Sequence, residues 1–594
     1  VKNIQYKLYK EITPDWFVGT TQHIMYHRGI NSPQEQERWL AAGWEDTYDW
    51  ADLDDNDKMQ QACFELAKTI EDNGTVQVLA DCDCDGYTSA AIILNYLFSR
   101  EPQWTKECCS YILHDGKQHG LSDVMDKIDC DLLIVPDAGS NDWKQQIELT
   151  TRRNTKIIIL DHHDISDIET VDTTPAIVIN IQNSAYPDKA LTGAGVAYRF
   201  ISAYEDLIIH GNQPTEFMDL CALGNCGDMA DYRELEIRAI VNIGFSNIRN
   251  PFMYEICNKH EYTLNKRNGI NYLSMAFAVV PFINAMTRSG TPEEQDMVFK
   301  GMLTQYAFDK VESSKRGEKG VFVYRYQEAV VTAERVKRRQ DKITNETVEL
   351  LDKRIQEQHL MDNAIIVCLC EPDELESSVA GIVANKIQAK YQHPTLVLRR
   401  TFQVGDTEDV YRGSARNYSH CPIENIKDIC AATGDVEFAA GHQGAFGIGI
   451  AASKVEDFIK HTNEVYKDID FTPAYWVDFI WEPRDLRPNV ILEIAQLNIW
   501  GQEMPQAQIV VKNIPLSEQN VQILGLAKGK PTIKIECNRI EFMLFQASEE
   551  LYEQFIQPNQ TLTIVGTCSI NEWNGVIKPQ VLIDDYELKQ QWIF

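Results

Sequence analysis

The chain has 594 residues, of which 44% are apolar and 24% charged, and it carries a formal net charge of -32 at pH 7. One hydrophobic core does not serve that length, so three to five structural units of roughly 100–200 residues each are expected. The negative charge excludes a nonspecific nucleic-acid coat, because the summed field repels phosphate at long range; any nucleic acid must be gripped by a local basic groove or through metal. The 15 cysteines are scattered, odd in number and without C-x-x-C pairs at zinc spacing, and the first residues lack an apolar h-region. These features predict a reducing cytoplasm as the setting. The longest apolar stretch, around Met275 to Ile283, falls short of the roughly 20 residues that a membrane-spanning helix needs.

In chain order, residues 1–50 are mixed and aromatic-rich, and Ser32-Pro33-Gln34-Glu35 reads as a helix start, with Ser32 as cap and Pro33 in the first position. From Val76 the pattern changes. Four short aliphatic runs, Val76–Ala80, Leu132–Val135, Lys156–Leu160 and Ile177–Ile179, alternate with helical spacing such as Thr88–Leu97, which predicts a parallel sheet with helices on both faces. A helix-like stretch from Phe217 leads to Asp228, and a long charged helix is expected over 326–358. A second α/β pattern follows, with strands at Asn363–Leu369 and Thr395–Leu398, a helix at Ser378–Tyr391 and two glycine-marked segments, Arg412–Arg416 and Ala440–Gly447. Beyond Phe471 the short alternating runs Ala507–Val511, Thr532–Glu536, Arg539–Phe545 and Thr561–Gly566 predict a small β-barrel.

Polar residues just past the carboxyl ends of parallel strands converge on one crevice. Asp81, Asp83, Asp85, Asp137, Asp161, His162 and His163 hold those places. Carboxylate and imidazole without thiolate suit a hard or borderline cation, Mn²⁺ or Mg²⁺, better than structural zinc. Two cations roughly 3.5–4 Å apart would activate a nucleophile and neutralise charge at phosphorus. His162, nearer Asp161, is assigned as a ligand, and His163 as the group that stabilises charge or protonates the leaving oxygen; the pattern leaves these two roles exchangeable. Singly, an aspartate run is a solvated turn and paired histidines fill a polar core edge; their joint placement at strand ends is what argues for a site.

Asp81-Cys-Asp-Cys-Asp-Gly86, Pro136-Asp137-Ala-Gly-Ser140, Asp161-His-His163 and Asp228 resemble, in order and spacing, the motifs of the DHH phosphoesterase superfamily. From about Met25 onward the chain is similar to the RecJ-type single-strand 5′-to-3′ exonucleases. The resemblance runs through Asn180, Leu191–Ala197, Pro281–Arg288, Gly413–Arg416, Gly441-His442 and Asn571–Gly575 with Pro579-Gln580. It implies an α/β architecture: a lead-in over 1–50, a DHH domain over 51–325, the linking helix, a DHH-associated domain over 359–470 and an OB-fold over 471–594. It further implies Asp81, Asp83, Asp85, Asp137, His162 and Asp228 as the metal shell, with His163 and Asp137 as the catalytic pair. Ser414 and Arg416 would hold phosphate, His442 would approach the backbone, Arg288 would clamp a second phosphate and Asn284 orient it.

The chain departs from the family at Leu113-His114-Asp115, where Pro-Asn-Arg is usual and Lys117 is the nearest basic replacement. It departs again at Leu375–Ser378, where the family has Trp-His-x-Gly, and at Phe282, in place of an arginine. These changes touch end recognition and strand grip, leaving the metal motifs whole. The basic run Arg335–Arg339 is a candidate channel lining against the plainer reading of a solvated face. Trp573, Trp500 and Phe545 are candidate stacking aromatics, with core as the plainer reading and Phe545 the strongest core candidate. The expected function is a monomeric, two-metal exonuclease on single-stranded DNA, recruited by a single-strand-binding protein or a helicase. The alternatives are a phosphodiesterase of short oligonucleotides or cyclic dinucleotides and a noncatalytic replication scaffold.

Overall fold

The computed structural model describes residues 4–10, 19–53, 57–114, 116, 118–167, 170, 173–403, 405–419, 421–472, 474–526, 529, 531–573 and 575–590. They form two compact units, one made of residues 1–334 and 476–594 and the other of residues 335–475. In the first unit the helix Pro33–Leu40 starts as its sequence predicts, with the Ser32 side chain accepting from the Glu35 N–H and Glu35 reaching back to the cap.

The centre of this unit is a five-stranded sheet of β1 (Val76–Ala80), β2 (Cys109–Leu113), β3 (Leu132–Pro136), β4 (Lys156–Asp161) and β5 (Ile177–Asn180), in the order β2-β1-β3-β4-β5. Every neighbouring pair in it is parallel. The four aliphatic runs are all strands, and Cys109–Leu113 adds a fifth at the edge. Alternate side chains, Leu79, Leu133, Val135, Ile157 and Ile159, enter one apolar cluster with Ile112, Leu121 and Leu149. Their neighbours Val78, Ile134, Ile158 and Leu160 are equally buried on the opposite face. A sheet covered on both sides explains why the runs are continuous rather than alternating.

Helix α1 (Cys84–Arg100) follows β1, with Asp83 as its N-cap. Helices α2 (Gly193–Tyr204), α3 (Met218–Gly227, ending at Asp228) and α4 (Val280–Ser289) come later in the same unit. A short antiparallel hairpin, β6 (Lys310–Glu312) with β7 (Phe322–Tyr324), precedes the helix α5 (Arg325–Glu357). The boundary between units falls inside α5, after Glu334. Arg335, Arg338 and Arg339 each have a partner.

The second unit carries β8 (Ile366–Cys370), α6 (Ala380–Tyr391), β9 (Thr395–Thr401), β10 (Val410–Arg416), β11 (Val436–His442) and β12 (Ala445–Ala451), with strand order β11-β12-β10-β9-β8. β8 and β9 are parallel and the remaining pairs antiparallel. Arg412–Arg416 lies within β10, whereas Ala440–Gly447 spans the end of β11, the two-residue turn Gln443-Gly444 and the start of β12.

The chain then returns to the first unit as a mixed sheet of seven strands: β13 (Phe479–Trp481), β14 (Gln508–Pro515), β15 (Val521–Leu524), β16 (Thr532–Cys537), β17 (Ile540–Phe545), β18 (Gln560–Trp573) and β19 (Val576–Gln590), ordered β13-β14-β18-β19-β17-β16-β15. It is locked into the unit by Asp478, whose carboxylate, with no exposed side-chain surface, takes both Arg28 at 2.8 Å and His27 at 2.9 Å. Of the three aromatics considered for stacking, Trp500 follows the plainer reading and Phe545 departs from it. Trp500 is buried, whereas Phe545, the strongest core candidate by composition, is 55% exposed because it ends β17 where the burial of that strand runs out. No described helix is long and apolar enough to cross a membrane.

Candidate metal centre

The loop leaving β1 carries Asp81 and Asp83 and runs directly into α1, so Asp85 sits in the first helical turn. Asp83 caps the helix, its Oδ1 accepting from the Gly86 N–H at 3.1 Å. A Cβ at Gly86 would stand 2.6 Å from the Asp81 Cβ, so only glycine allows the loop to fold this tightly. Asp85 points across to the start of α2. Its Oδ1 accepts from Thr192 Oγ1 at 2.9 Å and from the Ala194 N–H at 3.0 Å, and its Oδ2 accepts from the Gly193 N–H at 2.7 Å. An anion at a helix N-terminus, satisfied by free N–H groups, is electrostatically at home.

Asp137 follows β3 in the left-handed region at φ 64°, a conformation that costs a non-glycine residue and collects at functional sites. The turn is held by its N–H, which donates to the Leu160 carbonyl at 2.8 Å. After β4, Asp161 turns back on its own chain. Its Oδ1 accepts from the His162 N–H at 2.8 Å and from His163 Nδ1 at 2.8 Å, while its Oδ2 accepts from the Ser140 N–H at 3.0 Å. Asn180, at the end of β5, donates to the His163 carbonyl at 3.0 Å and to Ser140 Oγ at 2.9 Å. The histidine pair is thus set by a carboxylate that is not itself directed at the centre.

His162 Nε2 is the point of convergence, 3.1 Å from Asp137 Oδ1, 3.7 Å from Asp228 Oδ2 and 3.8 Å from Asp85 Oδ2. Two clusters of candidate ligands result, Asp85–His162–Asp228 and Asp137–His162–His163, each with its ligand atoms within 4.8 Å of one another. Asp137 Oδ1 and His162 Nε2 are both buried without a hydrogen-bond partner. A cation between them satisfies both, and an unpaired buried carboxylate is otherwise costly.

The protonation behaviour agrees. Burial, followed by repulsion from Asp85, Asp83, Asp81 and Asp228, pushes the Asp137 carboxyl well above the ordinary range. The depth of the site, then Asp85 and Asp83, do the same to Asp228, although 40% of its side-chain surface still meets solvent. Burial lowers His162 and so favours the neutral, ligand-competent ring. Burial opposes a charge on His163 too, but the Asp161 hydrogen bond prevails and raises it to about 9. This is the signature of clustered negative charge awaiting a cation.

The metal shell expected from the sequence does not all reach the two clusters. Asp85, Asp137, His162 and Asp228 do; Asp83 lies in the same loop as a helix cap, and Asp81 is outside both. Its Oδ2 stands 2.7 Å from His119 Nδ1 and its Oδ1 3.4 Å from His114 Nε2, which hold it at about 2 despite burial. His163, expected over the substrate, is also close enough to act as a ligand.

Asn284 on α4 accepts the Cys84 N–H on Oδ1 at 2.9 Å and so braces the carboxylate loop. Arg288, one turn on, is half-buried with no ion pair among the described residues, and its charge opposes the rise of Asp83. Phe282 packs on His260 with ring centroids 4.7 Å apart. In the second unit, Ser414 and Arg416 share one face of β10, and a Cβ at Gly381, in the first turn of α6, would touch the Arg416 guanidinium at 2.8 Å. His442 is exposed at the end of β11. Lys117 and the Trp573 side chain lie outside the described residues.

The residues missed at the level of sequence are His119, His114 and Asp161 as the holder of the histidines. His119 meets His163 edge-on, with centroids 5.2 Å apart. Nothing in the spacing from Asp81 to His119 signals their contact, but Asp161 was open to inference, since its carboxylate readily reaches the N–H groups one and two residues on.

Residues 75–225 match the DHH family, N-terminal domain, and residues 477–585 the RecJ OB domain. The chain is 31% identical over 574 residues to the putative SPbeta prophage-derived single-strand DNA-specific exonuclease YorK of Bacillus subtilis (strain 168), covering 95% of both chains. To the single-stranded-DNA-specific exonuclease RecJ of the same organism it is 24% identical over 587 residues, 96% of this chain and 68% of RecJ. In fold it is similar to RecJ in complex with Mn²⁺ from Thermus thermophilus, with a TM-score of 0.70 at 18% identity over 96% of this chain and 76% of that one.

Proposed function

We propose, from the premise that this chain belongs to the RecJ-type family of DHH single-strand-specific exonucleases, that it hydrolyses phosphodiester bonds of single-stranded DNA. The proposed direction is 5′ to 3′, the product mononucleotides and the setting DNA repair, recombination or replication. The observation that carries the reading is the meeting of Asp85, Asp137 and Asp228 on His162 Nε2 with two buried polar atoms left unpaired. A scaffold with an eroded site would have no reason to retain that concentration of buried charge.

A pair of divalent cations, Mn²⁺ or alternatively Mg²⁺, would be held by Asp83, Asp85, Asp137, His162 and Asp228 and supplies Lewis acidity toward phosphate when bound. His162 offers a neutral Nε2, kept so by burial. His163, tethered through Nδ1 to Asp161, has Nε2 left to stabilise the phosphate or to give a proton to the leaving oxygen. Asp81 then acts on His119 rather than on a cation. Asn284, with Oδ1 committed to the loop, offers its amide N–H to the strand, and Arg288 supplies an unneutralised guanidinium. Ser414, Arg416 and His442 are assigned to phosphate and backbone contacts, and Trp573 to a base. We further assign the DHH domain to 51–325, the linking helix to 326–358, the DHH-associated domain to 359–470 and the OB-fold to 471–594, in a monomer recruited by a single-strand-binding protein or a helicase.

The test is cleavage of 5′- and 3′-end-labelled DNA, single- and double-stranded, with Mn²⁺ or Mg²⁺, beside a dinucleotide and a cyclic dinucleotide. The 5′ label is expected to leave a single strand first, as a mononucleotide. Faster turnover of either dinucleotide would replace the strand reading, prior loss of the 3′ label would reverse the polarity, and no hydrolysis of any substrate would end the enzymatic one.

A further inference from the structure

The hairpin of β6 and β7 has no part in the metal centre, yet it gathers exposed aromatic rings and exposed cations on one short segment of an acidic chain. The register pairs Lys310 with Tyr324 and Glu312 with Phe322, so these four side chains share one face, with Val311 and Val323 on the other. On a soluble protein a face of that kind is ordinarily polar. Here Phe322 is 62% exposed, and Phe308, just before β6, is 58% exposed. Tyr324 and Tyr326 lie parallel, centroids 5.7 Å apart at 12°, and Phe308 meets both edge-on. Lys310 covers the Tyr324 ring at 3.6 Å, whereas Phe322 and Phe308 keep more than half of their surface open.

The loop between the strands is basic, with Lys315, Arg316 and Lys319 against the single carboxylate of Glu318, and its acids are oriented by neutral donors. Glu312 accepts the Gly320 N–H at 2.8 Å, and Glu318 accepts the Ser313 hydroxyl at 2.6 Å. Lys315, Arg316 and Lys319 are exposed and make no ion pair among the described residues. The loop is nonetheless anchored, since the Ser314 N–H donates to the buried Glu328 at 3.1 Å. With a net charge of -32 repelling polyanions overall, three exposed cations free of ion pairs beside open aromatic faces make a local site for phosphate and base together.

We propose that this hairpin is a noncatalytic platform for single-stranded nucleic acid, in which Phe322 and Phe308 stack bases while Lys315, Arg316 and Lys319 hold the intervening phosphates. The inference rests on the single-strand reading above and adds to it a holding site apart from the metal centre. Aromatic faces alone would also suit an apolar protein partner, and cations alone an acidic one. Their interleaving along one hairpin favours a strand of alternating base and phosphate.

The experiment uses the full chain in EDTA, where no cleavage occurs, and reads fluorescence anisotropy of a labelled oligo(dT) of about 30 nucleotides across a salt series. Phe322→Ala is expected to raise Kd roughly tenfold and Phe322→Trp to restore it. The combined Lys315→Ala, Arg316→Ala and Lys319→Ala variant is expected to reduce the slope of log K against log salt by about 2, at roughly 0.7 for each phosphate contact on a single strand. Dinucleotide hydrolysis with Mn²⁺ should be unchanged in every variant. Wild-type binding with unaltered Kd and slope in the variants would refute the platform alone. An acidic peptide displacing the strand equally well would mark a protein-docking surface and refute it too. A wild-type chain that neither binds nor cuts single strands would overturn the parent reading, and this one with it.

Discussion

Replacing Asp137 by asparagine should make the metal-free protein more stable while removing its activity. Asparagine has the same shape, and it tolerates the left-handed backbone at φ 64°. What it lacks is the charge that burial and four neighbouring aspartates disfavour. The folded carboxyl is raised above its unfolded value, so the native state holds a proton that the unfolded chain releases, and stability falls as pH rises above about 4. At pH 8 the wild type bears that penalty and the variant does not. For a buried, repelled carboxylate we expect a gain on the order of 1–3 kcal/mol, a rise in Tm of roughly 2–12 °C at about 2–4 °C per kcal/mol. Mn²⁺ at about a hundred times its Kd should stabilise the wild type by roughly 2.7 kcal/mol and the variant by far less. The assay is thermal unfolding at pH 8 with and without Mn²⁺, beside turnover on a labelled strand. A lower Tm for the metal-free variant, an equal response to Mn²⁺ or retained turnover would each refute the reasoning.

Gly193→Ala ought to improve α2 by propensity, yet its Cβ would lie 2.5 Å from that of Asp137. We expect it to cost about 1–3 kcal/mol through overpacking and to depress turnover, and an increase in Tm would show that the two elements yield. Asp188 is buried with one carboxylate oxygen unpartnered, and burial followed by Glu236 pushes it up to about 8. Its folded value is also raised, so stability is lost as pH rises from about 4 toward 8, by up to about 1.4 kcal/mol per pH unit. Asp188→Asn should therefore raise Tm at pH 8 and leave it unchanged at pH 3, and identical curves would contradict this. Deleting everything after residue 471 looks, from sequence, like the clean removal of a binding module. It would strip Arg28 and His27 of Asp478, a loss on the order of 3–5 kcal/mol for a broken buried pair. We expect a destabilised protein by calorimetry, whereas a native-like Tm would show the module to be dispensable for folding.

The parallel sheet could be read from composition because a strand covered on both faces must be apolar throughout, and the runs at Val76, Leu132, Lys156 and Ile177 are. Cys109–Leu113 at the sheet edge lacks that continuity and emerges only when β1 is present to pair with it. Glycine alone did not tell the two marked segments apart: Gly413 serves a close approach inside a strand, where a Cβ would stand 2.0 Å from the Val397 carbonyl oxygen, while Gly441 lies beside a turn.

By itself, then, the order of residues determined which chemistry this chain can carry: carboxylates and imidazoles at the ends of apolar runs, a set with few uses other than holding hard cations. Only tertiary structure decided how they are shared out. Asp81 and Asp83 look equivalent in the sequence, but one is claimed by His119 and the other caps α1. Asp85, two residues further on, is aimed across the site by N–H groups from α2. The physical reason is that a carboxylate's role depends on which donors surround it, and donors brought from more than a hundred residues away leave no local signal.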